Sequence, residues 1–200
     1  MLFSSDELKT EDPVIPENKK EKASTAIHEI PDYRSVIGKV YNSVEEAIGE
    51  IEQNVIIEYT SAAEWSMHEL LFYILTKTGP AEVYIATWSM SENASRSILQ
   101  MIESGMITRL SGVIDFRTKN RHPAAFQLAA SIFSRMRLYS NHAKVTVIEN
   151  ENWSITITGS ANYTNNPRAE AGVILPFKTS AEHNKAWICR LLDKGEPFHD

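Results

Sequence analysis

The stretch that decides the fold runs from His142 to Ile174 and reads HAKVTVIENENWSITITGSANYTNNPRAEAGVI. Two runs within it, 145–148 and 153–158, change side-chain character at every residue, and this period of two is typical of β-strands. The Asn-Glu-Asn segment at 150–152 supplies residues that favour a turn. The sequence therefore predicts a β-hairpin.

The ends of this hairpin carry four polar side chains. His142 and Lys144 stand two residues apart, and residues two apart on a strand project from the same face. The same holds for Ser160 and Asn162 if the second strand continues extended past Gly159. The hairpin is therefore expected to gather an imidazole, an ammonium group, a hydroxyl and an amide on one small surface.

The combination of His-x-Lys with a following Gly-Ser-x-Asn resembles the HKD motif of the phospholipase D superfamily. The motif covers 142–174, and the order of the predicted elements fits the superfamily across about 55–175. An Asp usually stands five residues after the Lys, and here that position holds Glu149. The hairpin is three residues longer than the usual pattern. Glu149 is the candidate motif acid, whose role in the superfamily is mostly structural.

The resemblance implies phosphodiester chemistry without a metal or another cofactor. In the superfamily the motif histidine attacks phosphorus and forms a covalent phospho-enzyme, so His142 is the candidate nucleophile. Lys144, Ser160 and Asn162 would bind the non-bridging oxygens, on which negative charge grows in the transition state. Glu170 follows Gly-Ser-x-Asn as a superfamily glutamate does, and that glutamate orients a motif histidine. The alternative for Glu170 is a solvated strand end.

One motif supplies one histidine, whereas the superfamily mechanism uses two. One histidine attacks, and the other protonates the leaving oxygen. Long members of the superfamily carry two motifs in one chain, and small members pair two chains about a two-fold axis. The resemblance therefore implies a homodimer in which His142 and its symmetry mate face each other.

A second His-x-Lys is formed by His183 and Lys185. It has no Gly-Ser-x-Asn after it, and it lies in a segment with a helical pattern. Since His-x-Lys alone carries little information, we interpret this one as a surface coincidence.

Composition limits the class of protein. A chain of 200 residues with 42% hydrophobic residues is long enough for one globular domain with its own core. The single cysteine, Cys189, excludes an internal disulfide and a cysteine-rich zinc site. Residues 1–25 are polar, so we predict a flexible tail there and a single domain over 26–200. The expectation is a cytoplasmic protein without a membrane partner, because no apolar run is long enough to cross a bilayer and the first residues lack signal-peptide character.

Basic residues are concentrated just before the motif, although the whole chain has a net charge of −6. The segment 109–144 carries seven basic residues and one acidic residue, Asp115. A local basic surface is what a polyanion such as nucleic acid requires. The candidates for substrate binding are Arg117, Lys119, Arg121 and Arg137. The alternative is that these cations neutralise the acidic N-terminal half of the chain.

Strands and helices are expected to alternate along the rest of the chain. This order is typical of the α/β class, and we predict a mixed β-sheet with helices on both faces, arranged as one half of a phospholipase D-like domain. Chemistry in such sheets lies at strand ends, where the hairpin places His142 and Asn162. The predicted helices span 44–53 (capped by Ser43), 62–77, 91–104, 123–134 and 180–192. The predicted strands besides the hairpin span 55–59, 83–87, 107–116 and 171–175.

Three functions fit these observations. The leading one is a nuclease that cleaves DNA or RNA, because small one-motif members of the superfamily are mostly nucleases. A phosphodiesterase acting on phospholipid is the alternative among enzymes, although the second motif typical of lipid enzymes is missing. The third is a catalytically lapsed module for nucleic-acid binding or assembly, which the altered Asp position and the acidic N-terminal half favour slightly.

Overall fold

The computed structural model of this chain describes residues 32–35, 43–62, 64–165 and 168–197. The tail predicted at 1–25 lies outside the described residues. Within them, strands and helices alternate, and the hairpin forms in the C-terminal half of the chain.

The strands are β1 (Asp32–Ser35), β2 (Val55–Ala62), β3 (Ala81–Thr87), β4 (Ile107–Asp115), β5 (Arg135–Tyr139), β6 (Val145–Glu149), β7 (Ser154–Gly159), β8 (Ala169–Leu175) and β9 (Glu196–Pro197). The helices are α1 (Val44–Ile48), α2 (Met67–Thr78), α3 (Glu92–Glu103), α4 (Arg117–Arg121), α5 (Pro123–Ile132) and α6 (Lys178–Lys194). Within the described ranges, no helix combines the length and the apolar character needed to cross a bilayer.

All nine strands of the described residues belong to one sheet, in the order β1-β2-β8-β7-β6-β3-β4-β5-β9. The pairs β1/β2, β3/β4 and β4/β5 are parallel. The other pairs are antiparallel. The predicted hairpin is β6 and β7, in which Val145 pairs with Thr158 and Glu149 pairs with Ser154. The mixed sheet is therefore confirmed, and the hairpin lies in the middle of it.

Helices cover both faces of the sheet, as predicted. On one face α1, α2, α3 and α5 bury apolar side chains, among them Leu70, Leu71 and Ile74 of α2. On the other face α6 packs Ile188 into a cluster that includes Val147 of β6. Burial of one such side chain stabilises the folded state by about 1.5–3 kcal/mol, so each layer fixes the sheet from its own side.

Two helix boundaries differ from the prediction by five residues, and both have local reasons, whereas the other helix boundaries agree within two residues. α1 keeps its predicted N-cap, Ser43, but it ends at Ile48 because Gly49 adopts a positive φ of 65° and stops the helix. α2 begins at Met67, five residues later than predicted, because β2 continues through Ala62.

Four elements were not expected from the sequence: β1, α4, β5 and β9. β5 reads RMRLY and becomes a strand because β4 and β9 supply its hydrogen-bond partners. β1 and β9 are edge strands of four and two residues, too short to show a period. α4 follows β4 directly and lies between the strand predicted at 107–116 and the helix predicted at 123–134, where no element was predicted.

Candidate active site at the strand ends

Several strand ends meet at one edge of the sheet. β3 and β4 end there, β6 begins there just after Lys144, β7 ends there with Gly159, and β8 begins there with Ala169. In an antiparallel pair the start of one strand lies beside the end of its neighbour. The predicted site residues that come to this edge are His142, Lys144, Ser160, Asn162 and Glu170.

His142 and Lys144 lie side by side before β6. The Lys144 ammonium group donates a hydrogen bond to the His142 carbonyl oxygen at 2.7 Å, and its nitrogen lies 3.4 Å from the imidazole nitrogens. The imidazole is exposed. Partial burial lowers the pKa of Lys144, and the negative charge of Glu170 acts on that pKa in the opposite direction. An open cavity of about 350 Å³ is lined by His142 and Lys144, so a ligand can reach both groups.

Ser160 joins the end of β7 to the start of β8. Its N–H donates to the Ala171 carbonyl oxygen at 2.9 Å, and the Ala171 N–H donates to the Ser160 hydroxyl at 3.0 Å. The hydroxyl in turn donates to the Glu170 carboxylate. Ser160 therefore fixes Glu170 at the site, and its own proton is directed at that carboxylate.

Asn162 has different partners from Ser160, because the extended conformation of β7 ends at Gly159. The side-chain oxygen of Asn162 accepts hydrogen bonds from the Trp88 N–H at 3.2 Å and the Thr87 hydroxyl at 3.3 Å. Since the oxygen is used in this way, the amide NH2 group is the part of Asn162 that can donate to a ligand.

A buried carboxylate that the sequence analysis missed holds the loop before β6. Asp115, at the end of β4, is 0% exposed. It accepts hydrogen bonds from the Arg117 N–H at 3.0 Å, from the Arg117 guanidinium at 2.8 and 3.1 Å, and from the Asn141 N–H at 3.0 Å. The Asn141 side chain donates to the Thr87 carbonyl oxygen at 3.1 Å and accepts from the Ala143 N–H at 3.0 Å. The residues on both sides of the motif histidine are therefore fixed by this network.

Two glycines pair with each other on neighbouring strands, and one of them, Gly159, lines the cavity at His142 and Lys144. Gly159 pairs with Gly172, and Gly172 pairs with Tyr59 of β2. A Cβ atom on Gly172 would overlap the Tyr59 hydroxyl, and one on Gly159 would lie 2.5 Å from the Ala171 carbonyl oxygen. Burial raises the pKa of Tyr59, so its phenol stays protonated beside the site.

The four predicted substrate-binding residues separate into two groups. Three of them lie on α4: Arg117, Lys119 and Arg121. Arg117 pairs with Asp115, whereas the Arg121 guanidinium lies 5.7 Å from the centre of the Trp88 ring. Arg137 lies on β5, with β3 and β4 between it and β6, and its guanidinium donates to the carbonyl oxygen of the preceding residue. The structure therefore brings the α4 cations to the site edge and keeps Arg137 away from it.

Glu149, the candidate motif acid, lies at the opposite end of β6 from Lys144. Its carboxylate accepts a hydrogen bond from the Lys185 ammonium group of α6 at 2.5 Å. The same ammonium group lies 4.8 Å from the centre of the Tyr84 ring. This contact joins the hairpin to the helix on the second face, so Lys185 has a packing role.

A second cavity, of about 310 Å³, adjoins the site beside β2 and α2. Asn162 and Glu170 line it together with Arg168, and Tyr59 and Trp65 belong to its apolar part. Room for the remainder of a substrate therefore lies next to the candidate phosphate-binding groups.

The site offers little to a metal ion. Glu170 accepts the Ser160 hydroxyl proton, and Asp115 is surrounded by Arg117 and backbone donors. In the part of the chain that the structure describes, no three His, Cys, Asp or Glu side chains lie together in a way that could hold a metal. The positive charge at this edge comes from Lys144 and from the α4 cations.

Comparisons with known proteins identify the fold. No family model and no curated protein sequence matches this chain. The crystal structure of Nuc, a phospholipase D family member from Salmonella typhimurium, has a TM-score of 0.56 and 18% identity, and the match covers 72% of this chain and 98% of that one. NucT from Helicobacter pylori has a TM-score of 0.55 and 15% identity, with 72% and 99% covered. Identities this low show the fold alone. They confirm that this chain has the phospholipase D-type fold that the motif led us to expect.

Proposed function

From the phospholipase D-type fold of this chain, we propose that it is a metal-independent phosphodiesterase that cleaves DNA or RNA through a phosphohistidine intermediate. The observation that carries the proposal is the exposed imidazole of His142 with the Lys144 ammonium group 3.4 Å away. A phosphodiester has a negative charge that the ammonium group binds and a phosphorus atom that the imidazole attacks. The fold shared with Nuc, which is named as a phospholipase D family member, is consistent with this reaction.

The proposed reaction has two displacements at phosphorus. A neutral imidazole nitrogen of His142 attacks first, a P–N bond forms, and the bond from phosphorus to the leaving oxygen breaks. The leaving oxygen takes a proton from an acid. Water then attacks the phosphohistidine and gives a proton back to the conjugate base of that acid, the P–N bond breaks, and the imidazole is regenerated. Dividing one difficult displacement into two steps lowers the barrier of each.

Fixed donors would stabilise the charge that grows on the non-bridging oxygens. The Lys144 ammonium group and the Asn162 amide are the direct donors in this proposal. Ser160 directs its proton at Glu170, so its main role is to hold Glu170 where the carboxylate can orient a motif histidine. Donors that are preorganised in this way supply the charge stabilisation that a metal gives in other phosphodiesterases.

The acid for the leaving oxygen is the reason that we extend the proposal to a homodimer. The mechanism uses two histidines, and the HKD pattern occurs once in this sequence. A two-fold axis beside His142 would place the same residue of a second copy on the opposite side of the phosphate. The exposure of the His142 side chain is consistent with such a contact.

Nucleic acid is the substrate class that the surroundings of the site favour. α4 presents Lys119 and Arg121 directly after β4, at the edge that carries the motif. A polymer with a phosphate at every residue gains from several separate cations, whereas a substrate with one phosphate does not.

Cleavage of DNA and RNA in excess EDTA tests the proposed function. We expect cleavage that survives the chelator and weakens as salt rises, because each phosphate contact releases counterions. Phosphatidylcholine vesicles in the same buffer test the lipid alternative. Salt-dependent binding without cleavage of any substrate would contradict the proposal and favour a lapsed binding module.

Glu170→Gln is expected to move the alkaline limb of the pH–rate profile to lower pH. The Lys144 ammonium group must be protonated to bind a phosphate oxygen, and the charge of Glu170 raises its pKa against the effect of burial. Removal of that charge lowers the pKa, so activity is lost at a lower pH as the pH rises. The dependence of kcat/KM on pH reports this group in the free enzyme.

The control for this measurement is Glu151→Gln, which removes an exposed carboxylate from the hairpin turn and should leave the profile unchanged. In Glu170→Gln the new amide oxygen still accepts a hydrogen bond from the Ser160 hydroxyl, so this variant removes the charge of Glu170 and keeps the contact. An alkaline limb that stays in place in Glu170→Gln would show that protonation of Lys144 does not control the rate.

Mixing wild-type chains with His142→Ala chains is expected to reduce activity more than in proportion to the fraction of wild-type chains. If each site takes His142 from both chains, a dimer with one His142→Ala chain is inactive, and activity falls as the square of the wild-type fraction. Differently tagged chains are refolded together, their mass is measured by light scattering, and the cleavage rate is recorded. A linear fall in activity, or a fully active monomer, would contradict the shared site.

A further inference from the structure

One tryptophan at the site lies outside the two hydrophobic cores of the described residues. The sequence contains four tryptophans. Trp65 belongs to the core on one face of the sheet, and Trp153 and Trp187 pack against the cores on the two faces. Trp88 belongs to neither of these clusters in the described part of the chain, and its side chain is partly buried. The aromatic and charged groups near its ring are His142 and Arg121.

The Trp88 indole lies beside the candidate nucleophile. The centres of the Trp88 and His142 rings are 6.2 Å apart, and the two planes are inclined at 53°. The backbone of Trp88 is fixed on both sides: its N–H donates to Asn162 at 3.2 Å, and its carbonyl oxygen accepts from the Thr118 hydroxyl at 2.9 Å. A rigid aromatic surface therefore stands within one nucleotide of the position at which phosphorus would be attacked.

A cation shares this surface. The Arg121 guanidinium lies 5.7 Å from the centre of the Trp88 ring. Indole faces attract cations and also stack on nucleobases, and a guanidinium group binds phosphate. The pair therefore offers one group for a base and one for the phosphate next to it.

We infer that Trp88 and Arg121 form a subsite that stacks one unpaired nucleobase beside the scissile phosphodiester, so that the substrate is single-stranded nucleic acid. The inference rests on the proposed function and names the form of its substrate. In a duplex each base is paired and stacked between its neighbours, and a side chain at the backbone does not reach a base face. In a single strand the base can turn out and lie on the indole.

The test uses single-stranded oligonucleotides with one cleavable phosphodiester, flanked on one side or the other by a natural nucleotide or an abasic site. For the wild type we expect kcat/KM to be about 10-fold or more higher with the base than without it on one side, since stacking on an aromatic side chain has about this effect. Trp88→Leu should lose this discrimination, and Trp88→Phe, which keeps a π face, should retain most of it. The matching duplex should be cleaved more slowly by the wild type.

Arg121→Ala should weaken binding and reduce the salt dependence of affinity by about one phosphate contact. Arg96→Ala, which removes a cation paired with Glu92 on α3, is the control and should change neither. These affinities are measured by fluorescence anisotropy in EDTA and do not require cleavage.

The two proposals fail in different ways. Cleavage by the wild type with no difference between base and abasic substrates, or the same discrimination in Trp88→Leu, would overturn the subsite and leave the proposed function standing. If no oligonucleotide is cleaved, the proposed function fails, and the subsite is judged on affinity alone. Equal affinity for natural and abasic strands would then overturn it as well.

Discussion

Replacement of His142 by alanine is expected to abolish phosphodiester cleavage. The imidazole is the nucleophile in the proposed reaction, so its loss removes the covalent route rather than one of several stabilising contacts. Loss of a catalytic nucleophile lowers kcat by at least on the order of 10⁴-fold. Because the His142 side chain is exposed and outside both core clusters, the variant should fold as the wild type does. Initial rates on DNA and RNA in EDTA, with circular dichroism as the folding check, measure the effect.

The chain contains its own control for this experiment. His183 also stands two residues before a lysine, but it lies on α6 and is followed by no Gly-Ser-x-Asn. His183→Ala should keep the wild-type rate. Cleavage by His142→Ala at a rate near that of His183→Ala would remove His142 from the role of nucleophile.

Asp115→Ala is expected to produce the largest loss of stability, together with a loss of activity below the melting temperature. The completely buried carboxylate accepts hydrogen bonds from Arg117 and from the Asn141 N–H. Its removal deletes these charge-assisted bonds and leaves the Asn141 N–H without its acceptor, which costs about 3 kcal/mol of unfolding free energy. The loop that holds His142 then loses its anchor. Urea unfolding and cleavage rates on the same preparations measure both effects.

Asp193→Ala is the matched control for Asp115→Ala. Asp193 also pairs with an arginine, Arg135, but its side chain is 67% exposed. Exposed ion pairs contribute about 0–1 kcal/mol, so this variant should be close to the wild type in stability and rate. If both aspartates gave equally small effects, the buried network would not be what positions the motif loop.

The fold was predictable where the signal is local. The hairpin, the buried strand at 55–59 and the helix that Ser43 caps follow from periodicity, capping and turn residues over a few positions. The short elements β1, β5 and β9 depend on neighbours that are distant in sequence. Their residues adopt the strand conformation because hydrogen-bond partners are present, and the sequence of each segment does not contain that information.

The candidate site shows the same difference between features with a local signal and features that depend on residues distant in sequence. Spacing predicted that His142 and Lys144 share a face on a strand; the two side chains do lie side by side, although both residues come just before β6. The hydrogen bond from the Asn141 N–H to Asp115 joins residues that are far apart in the chain. The sequence indicates it only through the fact that Asp115 is the single acidic residue among the basic residues of 109–144. Arg137 shows the limit of charge composition, which cannot tell a cation beside the motif from one that lies on β5, with β3 and β4 between it and β6.

The measurement that tests the central claim most directly is the mass of the enzyme during turnover. The protein is mixed with a short single-stranded oligonucleotide in EDTA, denatured within the reaction under alkaline conditions that preserve phosphohistidine, and analysed by intact mass and peptide mapping. We predict a covalent adduct with the mass of the phosphoryl fragment on the peptide that contains His142, absent from His142→Ala and present in His183→Ala. Cleavage of the substrate with no adduct at any time point, or an adduct on another residue, would contradict the account.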